Sequence, residues 1–206
     1  MNPRVLPAEA WAVVKRLDRA GLLDGWILVG GTALALQLGH RISLDLDFFR
    51  HDAFDVPTLR TSLAKLGRLA VPSLDARTLH ARLDGVLLSF LRSEVPFLYE
   101  PVPYRGLRLA DVRDIASMKV IAVAGRGSKK DFVDLHAYFE SGATFGDLIA
   151  TVQQRYVGID FNPIHLLRSL VYFDDAETEP MPRMLTKVDW PRIRRRLEAE
   201  VGNWAP

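Results

Sequence analysis

The chain has no cysteine among its 206 residues. That excludes disulfides and thiolate metal sites, and it suits a reducing cytoplasm. Long hydrophobic runs are missing too. No apolar stretch reaches the ~18 residues of a membrane span, and the N-terminus lacks a signal-peptide pattern, so no membrane role is expected. An excess of charge of either sign is missing: 27 basic and 25 acidic residues leave a formal net charge of +2. Any basic surface must come from local clusters, at residues 126–130 (RGSKK) and 192–196 (RIRRR). Internal repeats and low-complexity linkers are absent. What is present is ordinary for a folded protein, with 49% hydrophobic and 25% charged residues. That is enough for a core, at a length suited to one domain with a large appendage or two small ones.

The distinctive stretch is residues 26–49, WILVGGTALALQLGHRISLDLDFF. It reads as a strand, a glycine turn at Gly30 and Gly31, a short helix from Thr32 to a C-cap at Gly39, and a second strand. From Arg41 the pattern has period two. Arg41, Ser43, Asp45 and Asp47 share one face, with Ile42, Leu44, Leu46 and Phe48 on the other. Asp is depleted in strands, so two at i and i+2 need a reason. Side by side, the carboxylates suit a divalent cation; Mg²⁺ takes one or two carboxylates plus substrate phosphates and water. A side-chain-free turn entering a helix lets backbone N–H groups approach a phosphate. Thr32 at that helix start can cap it or donate a hydroxyl to the same anion. The competing reading is a solvated strand face beside an ordinary tight turn.

Residues 7–23 read as a first helix. Residues 56–66 form another helix, 68–73 a short strand, 75–82 a strand or a turn-rich crossing, and 107–109 a last short strand. Residues 85–91 (GVLLSFL) look like a buried central strand, and prolines break regular structure between 96 and 103. From 110 the chain turns helical. Lys119 lies in a nearly apolar helix, where it must snorkel or meet an anion. The next helix, 129–140, carries Asp131 and Asp134 on one face. They are either site acids or a solvated face in which Lys130 and Asp134 pair at i, i+4. Further helices are expected near 145–156, 163–173 and 190–201. His51, His80, His136 and His165 show no metal-ligand spacing. The acids Asp174, Asp175 and Glu177 read either as part of an acidic site or as a helix-terminal cluster. Residues 192–196 are either a solvated helix face or a patch for RNA or an acidic partner.

Three blocks, VGGTALALQLGHRISLDLDFF, IASMKVIAVAGRGSKKDFVDL and SLVYFDDAE, resemble in that order the nucleotidyltransferase toxins of the AbiEii/AbiGii type. These fall within the DNA polymerase β-like nucleotidyltransferase superfamily. The resemblance spans about residues 11–177. It implies an α+β fold: a mixed sheet with flanking helices over residues 1–109, then a C-terminal helical domain over 110–206 that completes the active-site cleft. It also implies a cytoplasmic toxin of a bacterial toxin–antitoxin or abortive-infection system. Such an enzyme moves NMP from NTP to an acceptor hydroxyl such as a tRNA 3′ end or another RNA, with a cognate antitoxin as partner. Carried over residue by residue, Asp45 and Asp47 are the catalytic pair and the ligands of Mg²⁺ or Mn²⁺. Gly30, Gly31, Thr32, Arg41, Ser43 and Lys119 bind the nucleotide. Lys119 and Asp131 complete the catalytic set, with Lys130 and Asp134 as further candidates. One departure stands out: the third carboxylate frequent on a central strand is missing, because residues 86–91 offer only Ser89 as a polar side chain. Asp131 is the expected substitute, in the first turn of its helix, where the macrodipole favours negative charge. If no acid substitutes, the alternative is a catalytically degenerate module that binds nucleotide or RNA.

Overall fold

The computed structural model describes residues 1–159 and 162–204. Helix α1 (Ala8–Arg19) precedes β1 (Ile27–Val29), α2 (Gly30–Leu38) and β2 (Leu46–Arg50). Next come α3 (Val56–Ala64), β3 (Leu69–Leu74), β4 (Thr78–Leu83), β5 (Val86–Arg92), β6 (Val102–Tyr104) and β7 (Leu107–Leu109). The remainder is helical: α4 (Val112–Arg126), α5 (Lys129–Glu140), α6 (Phe145–Arg155), α7 (Pro163–Ser169), α8 (Asp174–Glu177) and α9 (Trp190–Gly202). The strands form one mixed sheet in the order β3-β4-β5-β2-β1-β7-β6. Strand β2 runs antiparallel to β1 and parallel to β5, which sets Asp47 beside both Val29 and Ser89. Among the described residues no helix is long and apolar enough to cross a membrane.

Local chemistry explains most helix ends. Asp55, Asp111 and Asp189 cap α3, α4 and α9 by accepting from the N–H groups of Thr58, Arg113 and Arg192, as short acidic side chains do at an N-cap. Gly39 and Gly127 close α2 and α4 at φ 71° and 55°, a conformation glycine enters without Cβ strain. Two buried cores result. Under the sheet, Phe48 stacks on Phe90 at 5.1 Å and Trp26 meets Phe90 edge-on at 4.9 Å. Among the helices, Phe132 packs on Phe173 at 5.0 Å, and Trp190 closes on both rings.

Three expectations need correction. The second strand of the central stretch begins at Leu46, not Arg41, so Arg41, Ser43 and Asp45 do not share a strand face with Asp47. The backbone bonds of residues 41–43 go elsewhere. Ile42 N–H donates to Arg183 O, Ser43 N–H to Val5 O, and Arg41 bridges Met184. Backbone groups must be satisfied somewhere, and here distant segments satisfy them instead of a sheet neighbour. Leu44 consequently points outward, at 59% exposure. Strand β5 is buried on alternate residues rather than throughout, with Leu87 on the outer side. Strand β6 forms where prolines were expected to prevent it: Pro103 sits on an edge strand, the position where a missing donor is tolerated.

Candidate active site

A cleft of about 440 Å³ opens where α2 leaves β1. Its walls include Gly30, Gly31, Asp45 and Asp47, with Lys119, Arg126, Lys130 and Arg183 from the helical half. No side chain caps the N-terminus of α2, so its first N–H groups are left for an anion. Thr32 does not serve as the cap. Its buried hydroxyl bonds the Asp45 carbonyl and lies 2.8 Å from the Ser43 hydroxyl. Thr32 and Ser43 therefore hold the loop that presents Asp45, although both line the cleft.

The two glycines have separate reasons. Gly30 adopts φ +67°, and a Cβ there would stand 3.0 Å from Asp47 Oδ2. A Cβ on Gly31 would overlap Arg41 Nη2, because the guanidinium crosses directly over that turn. Gly31→Ala is thus expected to push Arg41 off its partners and lower stability by about 1–3 kcal/mol, the usual range for overpacking. Chemical denaturation would measure it, and an unchanged midpoint would show that Arg41 yields freely.

Asp45 and Asp47 form no ion pair among the described residues. Burial pushes the Asp47 carboxyl above the ordinary carboxylate range. Its hydrogen bond to Ser89 opposes this, Asp45's charge adds to it, and Lys119 and Lys130 counter it. Two carboxylate donors at the end of a cleft fit the donor set of Mg²⁺ or Mn²⁺. Among the described residues no cluster of three or more His, Asp or Glu side chains could hold a metal. Ser89, lying across from Asp47, stands where a third acid was sought; it bonds Asp47 and His80 Nδ1.

Asp134, entirely buried, is the hub beside the cleft. Arg41 grips it in bidentate fashion, Nε to Oδ1 at 2.7 Å and Nη2 to Oδ2 at 2.9 Å. His40 Nε2 meets Oδ1 at 2.8 Å and Lys119 Nζ meets Oδ2 at 2.7 Å. Burial alone would raise its pKa, but the Lys119 ammonium, the His40 hydrogen bond and the Arg41 guanidinium together hold the carboxyl far below its usual range. Asp134 is therefore not the solvated partner of Lys130, which instead projects into the cleft. Arg41, expected at the nucleotide, lines the cleft but is largely buried, with its guanidinium directed at Asp134. Lys119 lines the cleft while donating to Asp131 Oδ1 at 2.6 Å as well as to Asp134. Burial works against its charge, yet Asp134 and Asp131 raise its pKa above the ordinary lysine value. Asp131 itself is fully buried and does not line the cleft, and its second oxygen accepts from Arg126 Nε at 3.1 Å. Both Asp131 oxygens face the Lys119 and Arg126 cations rather than the cleft that Asp45 and Asp47 line.

Sequence reasoning missed His40, Arg126 and the segment 182–186. That segment folds back over the α2–β2 loop, with Leu185 N–H donating to His40 O at 2.8 Å. The basic run in α9 is balanced by acids. Arg194 pairs with Glu177 of α8 at 2.7 Å and Arg196 with Glu200 of its own helix at 2.8 Å, so much of this run is paired on the surface.

Comparison with known proteins gives this geometry a context. The chain is 37% identical over 181 residues to an uncharacterised protein of Aquifex aeolicus (strain VF5), covering 85% of this chain and 87% of that one. Among solved structures, JHP933 from Helicobacter pylori matches with a TM-score of 0.56 at 19% identity, over 96% of this chain and 92% of that one. MenT4, the nucleotidyltransferase toxin Rv2826c of Mycobacterium tuberculosis H37Rv, matches with a TM-score of 0.55 at 17% identity, over 97% and 87%. At such identities the likeness is one of fold. Residues 12–86 and 81–205 match the family described as nucleotidyl transferase AbiEii toxin of a type IV toxin–antitoxin system. Those two segments take in both the glycine turn with its acid pair and the Lys119–Asp134 network, and the chain belongs to the AbiEii nucleotidyltransferase toxin family.

Proposed function

We propose that this nucleotidyltransferase moves a nucleoside monophosphate from an NTP to the 3′ hydroxyl of an RNA, with tRNA as the first acceptor to test. The observation that carries the reading is one cleft shared by the uncapped start of α2, the Asp45–Asp47 pair and five cationic side chains. Asp45 and Asp47 would hold Mg²⁺ or Mn²⁺, which when bound supplies charge neutralisation for the triphosphate. The N–H groups at Gly30 and Gly31 donate to phosphate oxygens. An ammonium has three donors; Lys119 gives two to Asp131 and Asp134 and keeps the third for a phosphate. The acceptor oxygen bonds to the α-phosphorus, the bond to pyrophosphate breaks, and the hydroxyl proton passes to water. Asp131 in this scheme positions Lys119 rather than taking that proton. The α/β lobe, 1–109, supplies the turn and the acids, and the helical lobe, 110–206, supplies the cations that close the cleft. A cognate antitoxin restrains the activity in the cytoplasm.

The test is incubation of the purified chain with each labelled NTP, Mg²⁺ and total cellular RNA. Labelled RNA and matching pyrophosphate are expected, both lost on chelation. Salt-sensitive RNA retention with no pyrophosphate would favour a binding module instead, the reading that the lack of a third acid among the described residues supports. Within the cleft, Lys130 and Arg183 are exposed and make no ion pair among the described residues. The double variant Lys130→Ala, Arg183→Ala is expected to weaken NTP binding about tenfold, a modest charge-assisted share, with no change in melting temperature. Calorimetry giving wild-type affinity would remove both cations from the phosphate site.

A further inference from the structure

Three neighbouring strands bring a serine and a histidine up to the acid pair. Asp47 of β2 lies across from Ser89 of β5, and His80 of β4 lies across from the same Ser89. Side chains directly opposite in adjacent strands share a face, so Asp47, Ser89 and His80 form a row on one side of the sheet. The other side is core, where Phe48, Leu79, Leu88 and Phe90 are buried. Ser89 and His80 are only half-buried. The row is joined by hydrogen bonds. Ser89 bonds Asp47 through its side chain, and its Oγ lies 3.1 Å from His80 Nδ1.

The surroundings of this row suit an acceptor. A groove of about 330 Å³ runs from Leu44 and Asp45, which also line the cleft, to Arg82 and Leu87. Arg82 and Leu87 lie opposite each other, two positions from His80 and Ser89 on the same strands, and so on the same face. The glycine turn takes no part in lining this groove, which makes it a separate approach to Asp45. No acid on β5 stands beside Asp47, and Asp131 is held by its own cations. A serine hydroxyl takes up a proton readily only as it gives up its own. His80 Nδ1 is the atom placed to receive that hydrogen, and a neutral imidazole has a free acceptor nitrogen.

We propose that Ser89 and His80 form the relay that carries the acceptor's proton to water, a role that rests on the transfer reaction proposed above. As the acceptor oxygen bonds to the α-phosphorus and the bond to pyrophosphate breaks, the acceptor proton moves to Ser89 Oγ. The serine's own hydrogen moves at the same time to His80 Nδ1. The imidazolium so formed loses a proton to solvent from its half-exposed ring, and exchange with water restores the tautomer with Nδ1 free. The bond to Asp47 keeps the serine beside the reacting oxygen.

The purified chain and its His80→Gln and Ser89→Ala variants are compared with labelled NTP, Mg²⁺ and total cellular RNA. Each variant is expected to lose about 10²-fold in kcat, the lower end for a positioned acid–base group. The KM for NTP should stay within about twofold of wild type, since neither side chain binds the nucleotide. Adding Ser89→Asp to His80→Gln is expected to restore most of the lost kcat, because a carboxylate at that position takes the proton without the histidine. A merely structural role for His80 would not be relieved in this way. If Ser89→Asp lowers the melting temperature, rescue of His80→Gly by free imidazole replaces it. Wild-type kcat in either single variant, a loss confined to KM, or a failed rescue overturns the relay and leaves the transfer reaction standing. Absence of transfer by the wild-type chain overturns both.

Discussion

Asp47→Asn is expected to reduce nucleotidyl transfer by ~10³-fold or more while leaving the melting temperature unchanged or higher. The catalytic loss follows from the role proposed for the acid pair. A divalent ion contributes several kcal/mol of charge stabilisation in the transition state, and each 1.36 kcal/mol is tenfold in rate. The stability effect has the opposite sign for a separate reason. Burial sets the folded pKa of Asp47 above its ordinary value. The folded state then binds that proton more tightly than the unfolded chain, so ionisation removes stability as pH rises through the carboxylate range. Asn removes the charge and retains a polar group for Ser89. Asp45→Asn should match it in activity. A variant that melts well below wild type would show that the acid is structural, and one that keeps transferring nucleotide would take the pair out of the reaction.

Asp134→Asn should behave in the reverse manner, with its largest effect on the fold. Lys119, Arg41 and His40 all bond this carboxylate in a buried setting. Removing its charge strands Arg41 and leaves Lys119 with Asp131 alone, at a cost of about 3–5 kcal/mol for a broken buried pair. For a chain of this size that is a drop of roughly 6–20 °C in melting temperature. The pH dependence has a definite sign. The folded pKa is depressed, so the stabilisation is complete above the unfolded value near ~3.9 and is lost progressively as pH falls from there toward the folded one. The stability gap between wild type and variant should therefore be flat from about pH 5 to 8 and shrink below about pH 4. A gap that closes at neutral pH, or a melting temperature within about 2 °C of wild type, would contradict the buried network.

These two acids show how far sequence reading reaches. Asp47 is recognisable because its signal is local: a glycine turn, a short helix and an i, i+2 acid pair. Gly39 in the left-handed conformation and the caps at Asp55, Asp111 and Asp189 are local in the same sense, and so are the limits of α5. The chain order of strands and helices was legible, apart from β6 and α8. Asp134 looked like half of an i, i+4 pair with Lys130, worth a few tenths of a kcal/mol. Its true partners are 93 and 94 positions away at Arg41 and His40.

By itself the sequence determined which segments become helices or strands, where glycine must stand, and that two carboxylates follow the turn. Each of these depends on neighbours within a few residues, where steric limits and side-chain period leave a readable trace. Only the tertiary structure decided the path of residues 41–45, the inward turn of Arg41 and Asp131, and the covering segment whose Thr186 reaches His40 across 146 positions. Hydrogen bonds and ion pairs at such separations impose no periodicity on either partner. Which donor meets which carboxylate is settled when the two cores pack together and every buried charge must find a counter-charge.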